Sequence, residues 1–231
     1  MRFSVVGAAL AVAVVVSSCT SQNQAALDTD DQKASYALGL EVGTQFAPAE
    51  SLLDPDAFMR GFRDALTDAE PALDPVEGQG LVQAFAERVR NAQTAEMEAQ
   101  AETNRGEGEA YLEENGQREG VTTTESGLQY EVLDQGDGPR PAADDRVTIH
   151  YTGTLIDGSE FDSTSEGQPA TFGVGQVIPG FSEGLQLMPV GSRFRLVIPS
   201  DLAYGPQGSP GGIEPNATLI FEIELLEIAA N

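Results

Sequence analysis

The sequence is short of the side chains that most enzyme chemistries need. Its 231 residues include one cysteine, one histidine, one lysine and no tryptophan. With Cys19 and His150 alone, a thiolate–imidazole zinc site, a structural disulfide and a Cys–His nucleophilic pair are all but excluded. Only 12 Lys and Arg stand against 37 Asp and Glu, a net charge of −25. Without clustered cations there is nothing to neutralise phosphates, which argues against nucleic acid as a partner. No G-x-S-x-G elbow occurs, and the glycine-rich run Gly205–Gly212 lacks the following Lys-Ser/Thr of a phosphate cradle. Carboxylates are so abundant that their proximity in sequence means little. Chemistry without a metal or cofactor, or binding alone, is what remains. A hydrophobic fraction of 40% still provides for a real core.

The N-terminus carries an address. Arg2 precedes a small, apolar run from Val5 to Val16, too short to span a bilayer but suited to a secretory signal. Val16-Ser17-Ser18-Cys19 resembles a bacterial lipobox, which makes residues 1–18 a signal peptide and Cys19 a lipidated first residue. The alternative is an ordinary signal cut near Ser18. Several acyl chains on Cys19 would give stable anchoring where one would not. Thr20 in place of Asp after that cysteine implies the outer membrane, with residues 19–29 as a polar tether.

Two regions of different character follow. Residues 20–145 hold 27 Asp/Glu against 8 Lys/Arg and read as helical. Asp30 or Asp31 is expected to cap a first helix running through Tyr36, Leu38 and Leu40. Asp54-Pro55 and Asp74-Pro75 each place an N-cap acceptor before a proline at the first helical position. Phe58, Phe62, Ala65 and Leu66, and then Val82, Phe85 and Val89, fall on one helical face each and read as core. Three short helices enclose little volume alone, so residues 30–90 are expected to complete their core against a second copy of the chain. Residues 91–120 are rich in Ala, Glu and Gln and poor in large apolar side chains. They are expected to bury no stripe against their own domain and to form a long solvent-bridging helix, with Gly106 and Gly108 as weak points; the alternative is a disordered linker.

Residues 121–231 are β-rich. Val147, Ile149 and Tyr151 alternate with Thr148, His150 and Thr152, as do Phe194, Leu196 and Ile198, and Phe221, Ile223 and Leu225. Asp157-Gly158 signals a hairpin, and Phe181, Leu185 and Met188 share a helical face after Pro179. The fold class is α+β, ending in an antiparallel sheet wrapped around one short helix. His150 faces away from Tyr151 and reads as a surface or hydrogen-bonded histidine. Six aromatic residues (Tyr151, Phe161, Phe172, Phe181, Tyr204 and Phe221) are spread over this region. Taken singly each reads as core, but Asp162 beside Phe161 argues for a cavity wall, because a carboxylate among rings is costly unless hydrogen-bonded.

Five ordered blocks then carry a resemblance: Ile149-His150-Tyr151-Thr152-Gly153; Asp157-Gly158 with Phe161-Asp162-Ser163; Val177-Ile178-Pro179-Gly180-Phe181; Ala203-Tyr204-Gly205; and Pro215-Asn216-Ala217-Thr218-Leu219-Ile220-Phe221. Together they resemble an FKBP-type peptidyl-prolyl cis/trans isomerase domain. Upstream, Lys33–Gly39, Gly108–Leu112 and Ser126–Tyr130 are similar to the dimerisation domain and linker of its Mip/FkpA-like lipoprotein subfamily. The resemblance implies catalytic roles for Tyr151, Phe161, Asp162 and Tyr204, and substrate binding by Val177, Ile178, Phe181, Ile213 and Phe221. It also implies no cofactor, a homodimer through the N-terminal helices, proline-containing unfolded polypeptides as substrates, and a periplasmic, lipid-anchored location. A macrolide of the tacrolimus or rapamycin type is a further implied ligand, although Phe181 stands where many members carry Trp, Ala170 replaces an aromatic, and Ser209 and Gly212 replace bulkier loop residues. The alternative is a holdase chaperone that binds unfolded chains in an inter-arm cleft without turnover.

Overall fold

The computed structural model describes residues 26–164 and 167–229, in two compact units that divide between Pro71 and Ala72. Cys19, the signal segment and most of the tether lie outside the described residues. Among those described, no helix is long and apolar enough to cross a membrane.

The first unit contains α1 (Asp30–Phe46) and α2 (Pro55–Leu66). The cap of α1 is Thr29, not Asp30 or Asp31. Its hydroxyl accepts the Gln32 N–H at 3.2 Å, while the Gln32 side chain accepts the Thr29 N–H at 3.0 Å. This reciprocal box satisfies two orphan donors at once, which a lone Asp one position later cannot do. Asp54 caps α2 as expected, accepting the Ala57 N–H at 2.9 Å. Phe46 and Phe58 touch with ring centroids 5.1 Å apart. Neither helix buries a residue, and Leu38, Met59, Phe62 and Leu66 stay exposed around an apolar groove of about 680 Å³. The faces of α1 and α2 are therefore unclosed within this unit, because two short helices cannot surround them.

The second unit opens with α3 (Pro75–Gly116), one helix of 42 residues capped by Asp74 through the Val76 and Glu77 N–H groups. It runs without a break through Asn91 and past Gly106, so the third short helix and the spacer are one element. Seven strands follow: β1 (Val121–Thr123), β2 (Gln129–Asp134), β3 (Arg146–Leu155), β4 (Glu160–Ser163), β5 (Ala170–Gly173), β6 (Arg193–Ile198) and β7 (Leu219–Ala229). They form one antiparallel sheet in the order β1-β2-β6-β7-β3-β4, and β5 pairs with the first half of β3. α4 (Pro179–Leu187) lies against the inner face. Val147 and Ile149 of β3, Phe194, Leu196 and Ile198 of β6, and Leu219, Phe221, Ile223 and Leu225 of β7 all point to that face and form the core with Phe181 and Leu185 of α4. The period-two alternation is thus what turns one face of each strand to the helix.

The expectation that the spacer buries no stripe against its own domain is overturned in its second half. Residues 91–100 are exposed, but Gly108 and Asn115 are buried. Asn115 donates to Gln129 Oε1 at 2.8 Å, and Gln129 donates back to the Leu112 carbonyl at 2.8 Å. The docking uses amide hydrogen bonds and a glycine, so an apolar stripe is not required.

Candidate functional site: an aromatic hollow

The Asp157-Gly158 turn places β4 directly against β3. Gly158 adopts φ 88°, and Asp157 accepts the Ser159 N–H and hydroxyl at 2.8 and 2.6 Å. Those two bonds hold the Asp157 carboxyl below the usual carboxylate range. The hairpin sets Gly153 opposite Asp162 and brings Phe161 over the sheet's inner face.

Four rings then meet edge to face or tilted. Phe181 and Phe221 lie 4.9 Å apart at 82°, Phe161 and Phe221 5.5 Å apart at 89°, and Tyr151 stands 6.1 Å from Phe181 and 6.2 Å from Phe221. Such contacts fix ring orientations beyond what burial alone supplies. Phe181 and Phe221 are buried, while Tyr151, Phe161, Val177, Ile178 and Ile213 are half-buried and pack on the same core. The rings thus form a floor whose outer members reach solvent.

The polar groups sit at the edge. The Tyr151 hydroxyl donates to Asp162 Oδ2 at 2.6 Å, which answers how a carboxylate is tolerated beside these rings. Burial, followed by the hydrogen bond and charge of Asp162 and the nearby Tyr204, pushes the Tyr151 phenol well above its ordinary range. It therefore stays protonated and donating at neutral pH. Tyr204 is exposed at the start of the turn Gly205–Gln207. Ile178 is the N-cap of α4 with no side-chain cap, and no hydrogen bond from its N–H is found among the described residues.

The nine expected residues thus gather at one ring cluster: seven belong to or pack on the hydrophobic core, Asp162 is tied to Tyr151, and Tyr204 lies close enough to bias that phenol. His150 is apart, on the outer face, with Nδ1 3.2 Å from Thr164 Oγ1. Two residues outside the nine matter here: Phe172, one of the six aromatic residues noted in the sequence, and Gly153, given no role there. Phe172 packs 5.8 Å from Tyr151 at 65°. Gly153 lies behind two rings, where a Cβ would come within 2.7 Å of Phe161 Cζ and 2.8 Å of Phe221 Cε1. A glycine inside an alternating strand was the available signal for a close approach.

A sheet wrapped on a short helix, with a cluster of rings whose outer members reach solvent and a phenol–carboxylate pair at its edge, suits an apolar ring with a polar backbone beside it. Residues 138–226 match the model of the FKBP-type peptidyl-prolyl cis-trans isomerase family, and residues 31–132 match that of the domain amino terminal to it. Outer membrane protein MIP of Legionella longbeachae is 40% identical over 97% of this chain and 95% of its own length. The FKBP-type 22 kDa peptidyl-prolyl cis-trans isomerase of Escherichia coli is 48% identical over 87% of this chain and 97% of its own. The crystal structure of FkpA from Escherichia coli superposes with a TM-score of 0.71, at 41% identity, covering 88% of this chain and 98% of that one. The chain belongs to the FKBP-type peptidyl-prolyl cis-trans isomerases and is an enzyme of that activity.

Proposed function

We propose that the hollow bounded by Tyr151, Phe161, Phe181 and Phe221 is where an X–Pro bond of an unfolded or partly folded envelope protein is turned. The carrying observation is the ring cluster closed at its edge by the 2.6 Å Tyr151–Asp162 bond. Rotation of the prolyl amide passes through a twisted state over a barrier of about 18–20 kcal/mol. The planar amide is the more dipolar form, so water stabilises it more than the twisted one. A floor of rings removes part of that solvation and holds the prolyl ring while the bond rotates. Each ~1.4 kcal/mol taken from the barrier is tenfold in rate, which matters for a step that otherwise takes tens to hundreds of seconds.

In this reading Phe181 is the floor, Tyr151, Phe161 and Phe221 the walls, and Val177, Ile178 and Ile213 the rim. The Ile178 N–H and the Tyr204 hydroxyl donate to substrate carbonyls. Asp162 orients Tyr151 and polarises the site, and transfers no proton. The same hollow takes a macrolide of the tacrolimus type, with affinity reduced by the smaller Phe181 floor.

The helices within residues 30–90 pair with a second copy. The apolar groove between α1 and α2, with Leu38 and Phe62 exposed, supports this reading, since closing it removes apolar surface from water. The name of the Legionella relative supports an envelope location, with Cys19 as the lipid anchor at the periplasmic side of the outer membrane. Apolar surface of this kind also favours a second, chaperone action on unfolded chains.

A proline-limited refolding assay tests the site. Wild type should accelerate the slow phase, and Phe161→Ala or added tacrolimus should abolish most of that. Full acceleration by Phe161→Ala would remove the hollow from the mechanism. Sedimentation tests the pairing: the mature chain should be a dimer that Leu38→Glu with Phe62→Glu dissociates, and a concentration-independent monomer would refute it.

A further inference from the structure

One face of α3, from Gln100 to Asn115, is docked on the catalytic half: its end meets Gln129 of β2 and Arg195 of β6, and its earlier part, from Gln100 to Gly108, meets a single loop. Gln100 Nε2 and Asn104 Nδ2 both donate to Glu214 Oε2, at 2.9 and 3.1 Å. Asn104 Nδ2 also donates to the Pro215 carbonyl at 2.9 Å, and Asn216 Nδ2 donates back to the Ala101 carbonyl at 3.2 Å. One turn further along the helix, Gly108 lies so close to Thr218 that a Cβ would overlap the threonine Oγ1. The anchor points fall on Glu214–Thr218, immediately after Ile213.

From there the connection reaches Tyr204. Asn216 sits in the left-handed region at φ 56° and donates its backbone N–H to the Gly205 carbonyl at 2.8 Å. The residue following Tyr204 is therefore bonded to a residue that α3 holds. Across the loop, the Ser209 N–H donates to the Ile213 carbonyl at 2.8 Å. Gly205, Gly208, Gly211 and Gly212 all have positive φ. A loop so rich in glycine has much freedom to lose, and few of its own bonds hold it in one conformation.

We propose that Asn104, through Glu214 and the Pro215 carbonyl, is a positioning residue of the isomerase: it locks the 205–218 loop so that Tyr204 and Ile213 are held in place for the prolyl peptide. The proposal rests on the reading of those two residues as substrate contacts. A rim that binds ground and transition states alike acts on KM and leaves kcat nearly untouched.

The test uses the full-length mature protein. Asn104→Asp removes the amide that donates to both Glu214 and the Pro215 carbonyl and sets a carboxylate against the Glu214 carboxylate, with only the Gln100 amide left to donate between them. Its KM for a short X–Pro peptide should rise about fivefold, with kcat changed by no more than about twofold. Amide exchange should quicken over residues 205–218 and stay as in wild type over β3 and β7. Adding Glu214→Gln restores a donor opposite the introduced carboxylate and should recover most of the KM. Unchanged KM and loop exchange, no rescue by Glu214→Gln, or a fall in kcat with faster exchange in β3 and β7 would each overturn the proposal. Ile213→Ala and Tyr204→Phe, measured alongside, separate the two ideas. If they raise KM while Asn104→Asp does not, only the positioning role fails. If they too leave KM unmoved, the assignment of the rim has failed and the positioning role falls with it.

Discussion

Tyr151 on β3 and Asp162 on β4 are joined phenol to carboxylate at 2.6 Å, with the ring half-buried and the carboxylate exposed. The bond crosses a hairpin whose turn is itself held by Asp157, so both partners are presented by paired strands rather than by a free loop.

Because one interaction joins the two side chains, their losses should overlap. Tyr151→Phe and Asp162→Ala are each expected to lower kcat/KM on a short X–Pro peptide by about three- to tenfold, and the double variant by little more than the worse single one. A double-mutant cycle checks this. Losses that multiply independently would mean the bond is not what either residue contributes.

The phenol makes a pH prediction of definite sign. A folded-state value raised above the unfolded one gives stability that is whole below about pH 10 and is lost as pH climbs beyond it. With five tyrosines and no tryptophan, near-ultraviolet absorbance follows tyrosinate without an indole background. Tyr151→Phe should remove a component that ionises above the ordinary phenol range and flatten the decline of Tm in alkali. An alkaline titration identical to wild type would contradict the assignment.

Gly153 should tolerate no side chain. A methyl group there would press on both Phe161 and Phe221, and overpacking of this kind costs about 1–3 kcal/mol. Gly153→Ala is expected to lower both Tm and kcat/KM, the second because two walls of the hollow move. Urea unfolding together with the peptide assay reads both effects.

Two glycines of α3 should respond in opposite directions. Nothing lies near a Cβ built at Gly106, so Gly106→Ala should stabilise by about 0.5–1 kcal/mol through helix propensity. Gly108 is buried against Thr218, and Gly108→Leu should destabilise by about 1–3 kcal/mol despite leucine's helix preference. Thermal unfolding of the pair distinguishes a docked helix face from a solvated one.

These cases mark how far the sequence could be read. The alternation in β3, β6 and β7, the Asp157-Gly158 turn and the Asp54 and Asp74 caps are local patterns with a local cause, and the strands, the hairpin and α4 were legible for that reason. The rings drew notice because a carboxylate beside a phenylalanine calls for an explanation, but which of them would form a site came from the family resemblance and not from spacing. The Asn104–Glu214 contact was not legible, since its partners are far apart in the chain and neither belongs to an apolar stripe. A helix face made of amides and glycine looks solvated until the surface opposite it is known. The first helix cap was missed because acidic residues stood next to a threonine whose glutamine partner completes the box.

β7 follows every other strand in the chain, yet it lies inside the sheet between β6 and β3. It brings Phe221, so one of the three walls is missing until β7 has paired. Its pairs with β3 join residues 64 to 83 positions apart in the chain, and distant pairings of this sort close slowly. A catalyst of slow folding steps thus has its own site completed only when β7 pairs between β6 and β3.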